Sequence, residues 1–224
     1  HGVSDEIVVA APMGSLNVSR QHVVEFLNYI GKNGVNPVSS NTSMDENIWG
    51  IELEGGRWDL SSTHSTFSEG LLPIFEPRKH CSDLLELRFE NGVPISIDNK
   101  NLMIENLVCR LNQIGGKYCI GLFDHFESRP DGRLVREIHF CPAATILYLA
   151  YSDLEYCSHG EYDTKIFDEW SKKWRDSLLF GKASETSITS IKNKIVARAQ
   201  AVTGIVWLEL NPYSCRIVGR EIDT

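Results

Sequence analysis

Three groupings in this sequence combine residue types and spacings that could support chemistry. The run Ser43-Met44-Asp45-Glu46-Asn47-Ile48-Trp49-Gly50, closed by Glu54-Gly55-Gly56, reads as a signature rather than as packing. Its Asp45, Glu46 and Asn47 are types that form turns and caps. The polar stretch Asp124-His125-Phe126-Glu127-Ser128-Arg129-Pro130-Asp131-Gly132 sets Asp124 and Glu127 on one expected loop, where two carboxylates could share acid and base roles. Solvated loop carboxylates are the commoner reading of such a pair. Ser61-Ser62-Thr63-His64-Ser65 is rich in hydroxyls, but it has neither G-x-S-x-G nor an assignable acid partner, so no hydrolase triad follows.

Metal chemistry finds little support in the spacing of ligand types. Among nearby nitrogen and sulfur pairs, His80-Cys81 and Cys119 with His125 each lack a second pair to complete a tetrahedral zinc site. Cys81, Cys109, Cys119, Cys141, Cys157 and Cys215 form no CxxC pair, which fits reduced thiols better than a disulfide framework. No metal and no independent catalytic constellation is expected.

The elements that must hold these residues follow from periodicity. Glu6 to Ala11 is a short apolar run ending at Pro12, and Val23, Val24, Phe26, Leu27 and Ile30 recur at helical spacing. They predict one strand-helix unit over residues 1–37, a remnant of an α/β nucleotide-binding domain, with a second domain over 38–224. Pro37 to Cys81 predicts long loops with short strands. Leu84–Phe89 and Pro94–Ile97 predict a hairpin around Asn91-Gly92, residues that accept positive φ. Leu102, Ile104, Leu107, Val108, Leu111 and Ile114 trace a helix, with a left-handed glycine cap expected at Gly115-Gly116. Tyr118–Phe123 and Arg133–Phe140 read as strands flanking the polar loop, and Pro142 opens a helix. Two helical faces follow, Ile166 to Leu178 and Ile188 to Val202, and a ribbon turns around Asn211-Pro212.

With 42% hydrophobic and 23% charged residues, the 224-residue chain has an ordinary globular composition. The net charge of −8 excludes a broad nucleic-acid footprint, which needs clustered Lys and Arg. Lys172-Lys173-Trp174-Arg175 reads as a solvated helix face. No apolar run is long enough to span a bilayer, and His1 to Asp5 lacks the regions of a secretory signal, so no membrane partner and a cytoplasmic setting are expected.

Ser43 to Gly56 resembles S-[MI]-D-E-N-L-W-G followed by E-G-G in the carboxy-terminal half of argininosuccinate synthases. Other similarities fall in the family's order. Ile7 to Pro12 resembles I-x-V-I-A-P, Leu85 to Pro94 looks like E-I-E-F-x-x-G-V-P, and Ile114 to Gly121 looks like A-G-K-H-G-V-G. Pro142 to Tyr148 follows P-A-G-T-I-L-Y, and Val218 to Glu221 resembles L-G-R-E. The resemblance implies an α+β fold, a mixed sheet with hairpins and packed helices, preceded by the strand-helix unit.

Family enzymes adenylate the ureido oxygen of citrulline with ATP, and the aspartate amine then displaces AMP. The resemblance implies that this half grips citrulline through two serines, a glutamate and a tyrosine. The first serine matches Ser43, and the glutamate of V-E-N-R-F matches Glu127. The second serine falls on Glu52 and the tyrosine of I-Y-E-T-P on His139, two departures. Glu52 adds negative charge where a hydroxyl stood, and His139 can carry charge near neutral pH, so a ligand more basic than citrulline is implied. Both positions also read as plain surface polar groups. Arg129 keeps a basic family position, while the K-S-R-G segment is rewritten as Arg133-Leu134-Val135-Arg136-Glu137.

The family's phosphate loop, S-G-G-x-D-x-S, has no counterpart here, since Gly55-Gly56 and Gly115-Gly116 lack its flanking Ser and Asp. ATP and Mg are therefore expected only through a partner domain or a separate ATP-binding subunit. Three readings stand: the substrate-binding and multimerisation half of a ligase, a non-catalytic ligand-binding or regulatory pseudoenzyme, or a fragment of a longer enzyme. A small amino-acid ligand and a homo-oligomer, without the family's extended helical tail, complete the expectation.

Overall fold

A computed structural model describes residues 42–55, 82–129, 132–180 and 185–223. The strand-helix unit expected over 1–37 lies outside the described residues, as do Ser61 to Ser65, His80 and Cys81. The unit Ser43–Thr224 is of the α+β class.

The main core rests on a five-stranded sheet of order β5-β4-β3-β8-β9, built from β3 (Asp83–Glu90), β4 (Val93–Ile97), β5 (Lys100–Asn101), β8 (Gly204–Asn211) and β9 (Ser214–Ile222). Alternation decides its faces: Leu85, Leu87 and Phe89 on β3 and Val206, Leu208 and Leu210 on β8 all point into the core. The β3–β4 turn takes positive φ at both Asn91 (51°) and Gly92 (80°), as a two-residue hairpin of right-handed twist requires. Here the sequence expectation and the structure agree.

Helix α1 (Ile104–Gly116) lays Leu107, Val108 and Leu111 on this sheet, and α2 (Pro142–Phe180) lays Ala143, Ile146, Ala150 and Leu154 beside them. Each large aliphatic side chain so buried contributes roughly 1.5–3 kcal/mol. Gly115 is part of this contact and not a cap. A Cβ there would sit 2.8 Å from Ile146 Cδ1 and 2.9 Å from Pro142 Cβ, so its small size lets the helices approach. The expected left-handed glycine cap is therefore corrected: α1 ends at Lys117 in right-handed geometry, and the chain reverses at Cys119 (φ 52°) and Gly121 (φ 82°). Tyr118 and Ile120 are buried in that reversal rather than in a strand.

Helix α2 breaks at Gly160 (φ 77°, ψ 172°), a conformation that is essentially confined to glycine. Beyond the break it carries Trp170, over whose ring Lys194 of α3 (Glu185–Ala199) sits at 4.8 Å. Arg198 of α3 donates to Glu155 of α2 at 2.9 Å, tying the two helices. Among the described residues no helix is long and apolar enough to cross a membrane.

The second sheet has order β1-β2-β7-β6, with β1 (Thr42–Asn47), β2 (Gly50–Gly55), β6 (Leu122–Ser128) and β7 (Leu134–Phe140). Leu53, Ile138 and Cys119 form its small core, with Ile51, Leu122 and Phe140 packed against them. The run Asp124 to Ser128 is thus a strand, which corrects the expected polar loop. Asn112 of α1 joins this sheet to the helices, because its amide donates to Ile48 O at 2.8 Å and accepts from Ala143 N at 2.9 Å. The turn of the β1–β2 hairpin and the first turn of α2 are fixed by one side chain.

Gly121 offers a direct test of the chain reversal that launches β6. A Cβ at Gly121 would lie 2.6 Å from Cys141 O and 2.7 Å from Thr145 Oγ1, while at Gly132, also at positive φ, it would meet nothing within 4 Å. Gly132→Ala is expected to cost about 1–2 kcal/mol from its backbone conformation alone. Gly121→Ala should cost a further ~1–3 kcal/mol from overpacking. Urea unfolding of both variants checks this, and equal losses would show that the contact relaxes freely.

Candidate functional site

Strand pairing gathers six ionisable residues of the second sheet on one face. In the register, Glu52 lies opposite His139 and Glu54 opposite Glu137. On the other side of β7, Phe123 lies opposite His139, His125 opposite Glu137 and Glu127 opposite Val135. Residues directly opposed share a face, so Glu52, Glu54, His125, Glu127, Glu137 and His139 stand together. The other face carries Leu53, Ile138 and Asp124.

Glu137 is the centre of this group and is only 3% exposed. Its Oε1 accepts from Arg129 Nη2 at 2.7 Å, and its Oε2 accepts from His139 Nε2 at 3.0 Å. An ionised carboxylate only accepts, so His139 holds its proton on Nε2 in this contact. His125 Nε2 stands 3.8 Å from the same oxygen, and the two imidazoles stack at 4.9 Å between centroids with 19° between planes. Arg129, at the end of β6, also binds Glu54 Oε2 at 2.5 Å and Glu127 Oε2 at 3.1 Å. One guanidinium thus serves three carboxylates.

Charge and burial divide the acids by protonation. Burial alone would raise the Glu137 carboxyl, but hydrogen bonds from His139 and Glu127 and the nearby Arg129 charge outweigh it and hold it below the usual range. Glu127 moves the other way, chiefly through its hydrogen bond to Glu137, then through burial and the Glu137 charge, against the pull of Arg129. Glu52 is raised first by burial and next by the Glu137 charge. The face therefore holds a central ionised carboxylate beside Glu52 and Glu127, which keep their protons more readily.

Asp124 and Glu127 do not share the loop on which an acid–base pair could have formed. Three positions apart on a strand, they point to opposite faces. Asp124 instead takes both Nε (2.8 Å) and Nη2 (2.6 Å) of Arg136. Asn47 makes a turn contact, accepting from Trp49 N at 2.8 Å, although Asp45 to Asn47 also belong to β1. Of the candidate ligand residues, Glu52, Glu127 and His139 are brought onto one face. Ser43 lies in β1, which adjoins β2 in the same sheet, and its side chain lies outside what the structure describes.

Glu54, His125, Arg129 and Glu137 complete the face and were not among those candidates. The signal for them was the two-residue spacing of Glu52 with Glu54, His125 with Glu127, and Glu137 with His139. It becomes visible only once Asp124 to Ser128 is taken as a strand. His125, Glu137 and His139 also make a grouping whose ligand atoms all lie within 4.8 Å of one another, as do those of Glu52, Glu54 and Glu137. A separate apolar cavity of about 690 Å³ lies by the chain reversal, lined by Cys119, Phe123, Cys141, Thr145, Tyr148 and Tyr213.

Comparison with known proteins agrees with the fold and its order. Residues 42–224 match the profile described as arginosuccinate synthase C-terminal domain. Similar curated proteins include the argininosuccinate synthase of Hyperthermus butylicus, 29% identical over 97% of this chain and 55% of that enzyme. That of Pyrococcus furiosus is 30% identical over 97% of this chain and 53% of its own length. For Thermoplasma volcanium the identity is 34%, over 73% of this chain and 41% of the relative. The chain spans about half the length of the relatives it matches.

The Arg129–Glu137 contact yields a stability prediction. Removing one partner of an enclosed ion pair costs roughly 3–5 kcal/mol. Arg129 is one-third exposed, so Arg129→Met is expected to cost less, about 2–3 kcal/mol. Adding Glu137→Gln should recover part of that loss. A double-mutant cycle by urea unfolding reads the coupling, and strictly additive losses would show that the two groups do not act on each other.

Proposed function

The chain belongs to the argininosuccinate synthase family, and on that footing we propose that the charged sheet face is the amino-acid side of an ATP-dependent carbon–nitrogen ligase. The ligand is a ureido or guanidino amino acid. The carrying observation is convergence: Glu52, Glu127 and His139, the positions that the resemblance assigns to citrulline, share one face although far apart in sequence. Ser43 is the fourth expected contact, from the neighbouring strand.

The charge of the face refines the ligand. Three carboxylates, Glu54, Glu127 and Glu137, contact one guanidinium, Arg129, and Glu52 stands opposite His139 on the same face. Such an excess favours a cationic group, so a guanidino ligand is expected to bind more tightly than neutral citrulline. The residues of this chain would orient the reacting nitrogen or oxygen, and orientation supplies much of the acceleration in a two-substrate reaction. ATP and Mg would be held by a separate domain or subunit, the protein would work in the cytoplasm, and assembly of like copies would complete the enzyme.

One observation favours a second reading, a ligand-binding or regulatory pseudoenzyme. Arg129, Glu54, Glu127, Glu137 and His139 already satisfy one another. The two readings part on turnover: only the ligase forms AMP from ATP when an ATP-binding partner carrying S-G-G-x-D-x-S is supplied.

Thermal unfolding with citrulline, arginine, aspartate, argininosuccinate and ATP tests the amino-acid reading. Ligand at about 100 times its dissociation constant adds ~2.7 kcal/mol to native stability. Arginine is expected to raise Tm more than citrulline, ATP alone to leave it unchanged, and Glu52→Gln or Glu127→Gln to shrink the arginine shift. No shift with either ureido or guanidino amino acid at millimolar concentration would sink the assignment.

A further inference from the structure

We propose that His125, Glu137 and His139 form a binding site for a divalent transition-metal ion of the zinc type. Two imidazoles and one carboxylate are a common donor set for such ions, which borderline-soft nitrogen ligands select over magnesium or calcium. The three come from adjacent strands, His125 from β6 and the other two from β7. Their side chains leave one face of a paired sheet.

The spacing brings the three ligand atoms near what a shared ion needs. In a tetrahedral site with bonds of about 2.0–2.2 Å, ligand atoms lie roughly 3.3–3.5 Å apart. Here Glu137 Oε2 stands 3.0 Å from His139 Nε2, a hydrogen bond, and 3.8 Å from His125 Nε2, and all three ligand atoms lie within 4.8 Å of one another. A proton can join only the closer pair, because 3.8 Å exceeds hydrogen-bond reach. An ion would serve both imidazoles once the rings turn out of the stacked arrangement seen here, 4.9 Å between centroids and 19° between planes, and Nε2 of His139 gives up its proton to solvent.

The surroundings fit a metal in three further ways. Arg129 grips Glu137 Oε1 and leaves Oε2 turned to the histidines, the outer contact that fixes a ligating carboxylate. Its positive charge is answered by Glu54 and Glu127, so it does not oppose a cation unaided. His125 is 48% exposed, which gives an ion an entry path and an open coordination position toward water. Glu52, opposite His139 in the register, is a further carboxylate at the rim.

Glu137 and His139 both fall where the chain departs from the motifs it otherwise resembles. The site would therefore be this protein's own. It does not rest on the amino-acid reading, although His139 would serve both.

Titration of the whole chain with Co²⁺ and Zn²⁺, without amino acid present, tests the proposal. Wild-type protein should give a Co²⁺ ligand-field absorption band of tetrahedral or five-coordinate type that stoichiometric Zn²⁺ abolishes. His125→Ala, at an exposed position outside the amino-acid assignment, should weaken Zn²⁺ binding in calorimetry at least by the roughly 10–100-fold that loss of an outer-shell partner costs. His139→Ala should do the same. Replacing the exposed Cys109 and Cys157 by Ser should change nothing. Absence of the Co²⁺ band, unaltered Zn²⁺ affinity in His125→Ala, or loss of binding in the Cys variant would each overturn the site.

Discussion

A carboxylate buried in the middle of a four-stranded sheet must be neutralised where it lies, and the ionic face of this protein is arranged around that demand at Glu137. An uncompensated charge there would cost several kcal/mol, so its neighbours are constrained in position as well as in type. Arg129 approaches from the β6–β7 turn, His139 from two positions along the same strand, and His125 from the strand beside it. The Arg129 contact also fixes Glu54 and Glu127. What looks like a collection of surface charges is one connected network.

That network is placed by an apolar framework with little chemistry of its own. The five-stranded sheet, α1 and the first half of α2 form the main core. β7 runs through Cys141 directly into α2, and Cys141 N donates to Gly121 O at 2.9 Å where β6 begins. Asn112 adds the turn of the β1–β2 hairpin to the same assembly. The sheet's strands are thereby tied to the helices close to the site. The geometry of the charged residues is inherited from packing several residues away.

Sequence signals identified the apolar framework well and the charged face poorly, for a physical reason. Leu85, Leu87 and Phe89 alternate and Asn91-Gly92 dictates its own turn, so β3 and β4 were readable from local chemistry. Strand β6 is almost wholly exposed, so no apolar alternation marks it, and its acids and histidine resemble those of a loop. Its conformation comes from pairing with β7, which no local window contains. Gly115 misled in the opposite sense: a glycine near a helix end usually caps it, but here the missing side chain makes room for Ile146 and Pro142. Glu52, Glu127 and His139 were singled out as candidates by resemblance, whereas Glu137 lay in a rewritten segment. Its burial became visible only in three dimensions.

Among the described residues β6 stands at the border of its sheet, which bears on the life of the molecule in a crowded solution. An outermost strand presents a row of backbone donors and acceptors to which another chain can add, and proteins commonly guard such rows with charge. Asp124 and His125 on opposite faces, with Glu127 two residues on, make this strand a poor template for fibrous growth. Charge on both faces of β6 thus also guards against self-association through strand addition. Neutralising those charges would remove that guard along the border.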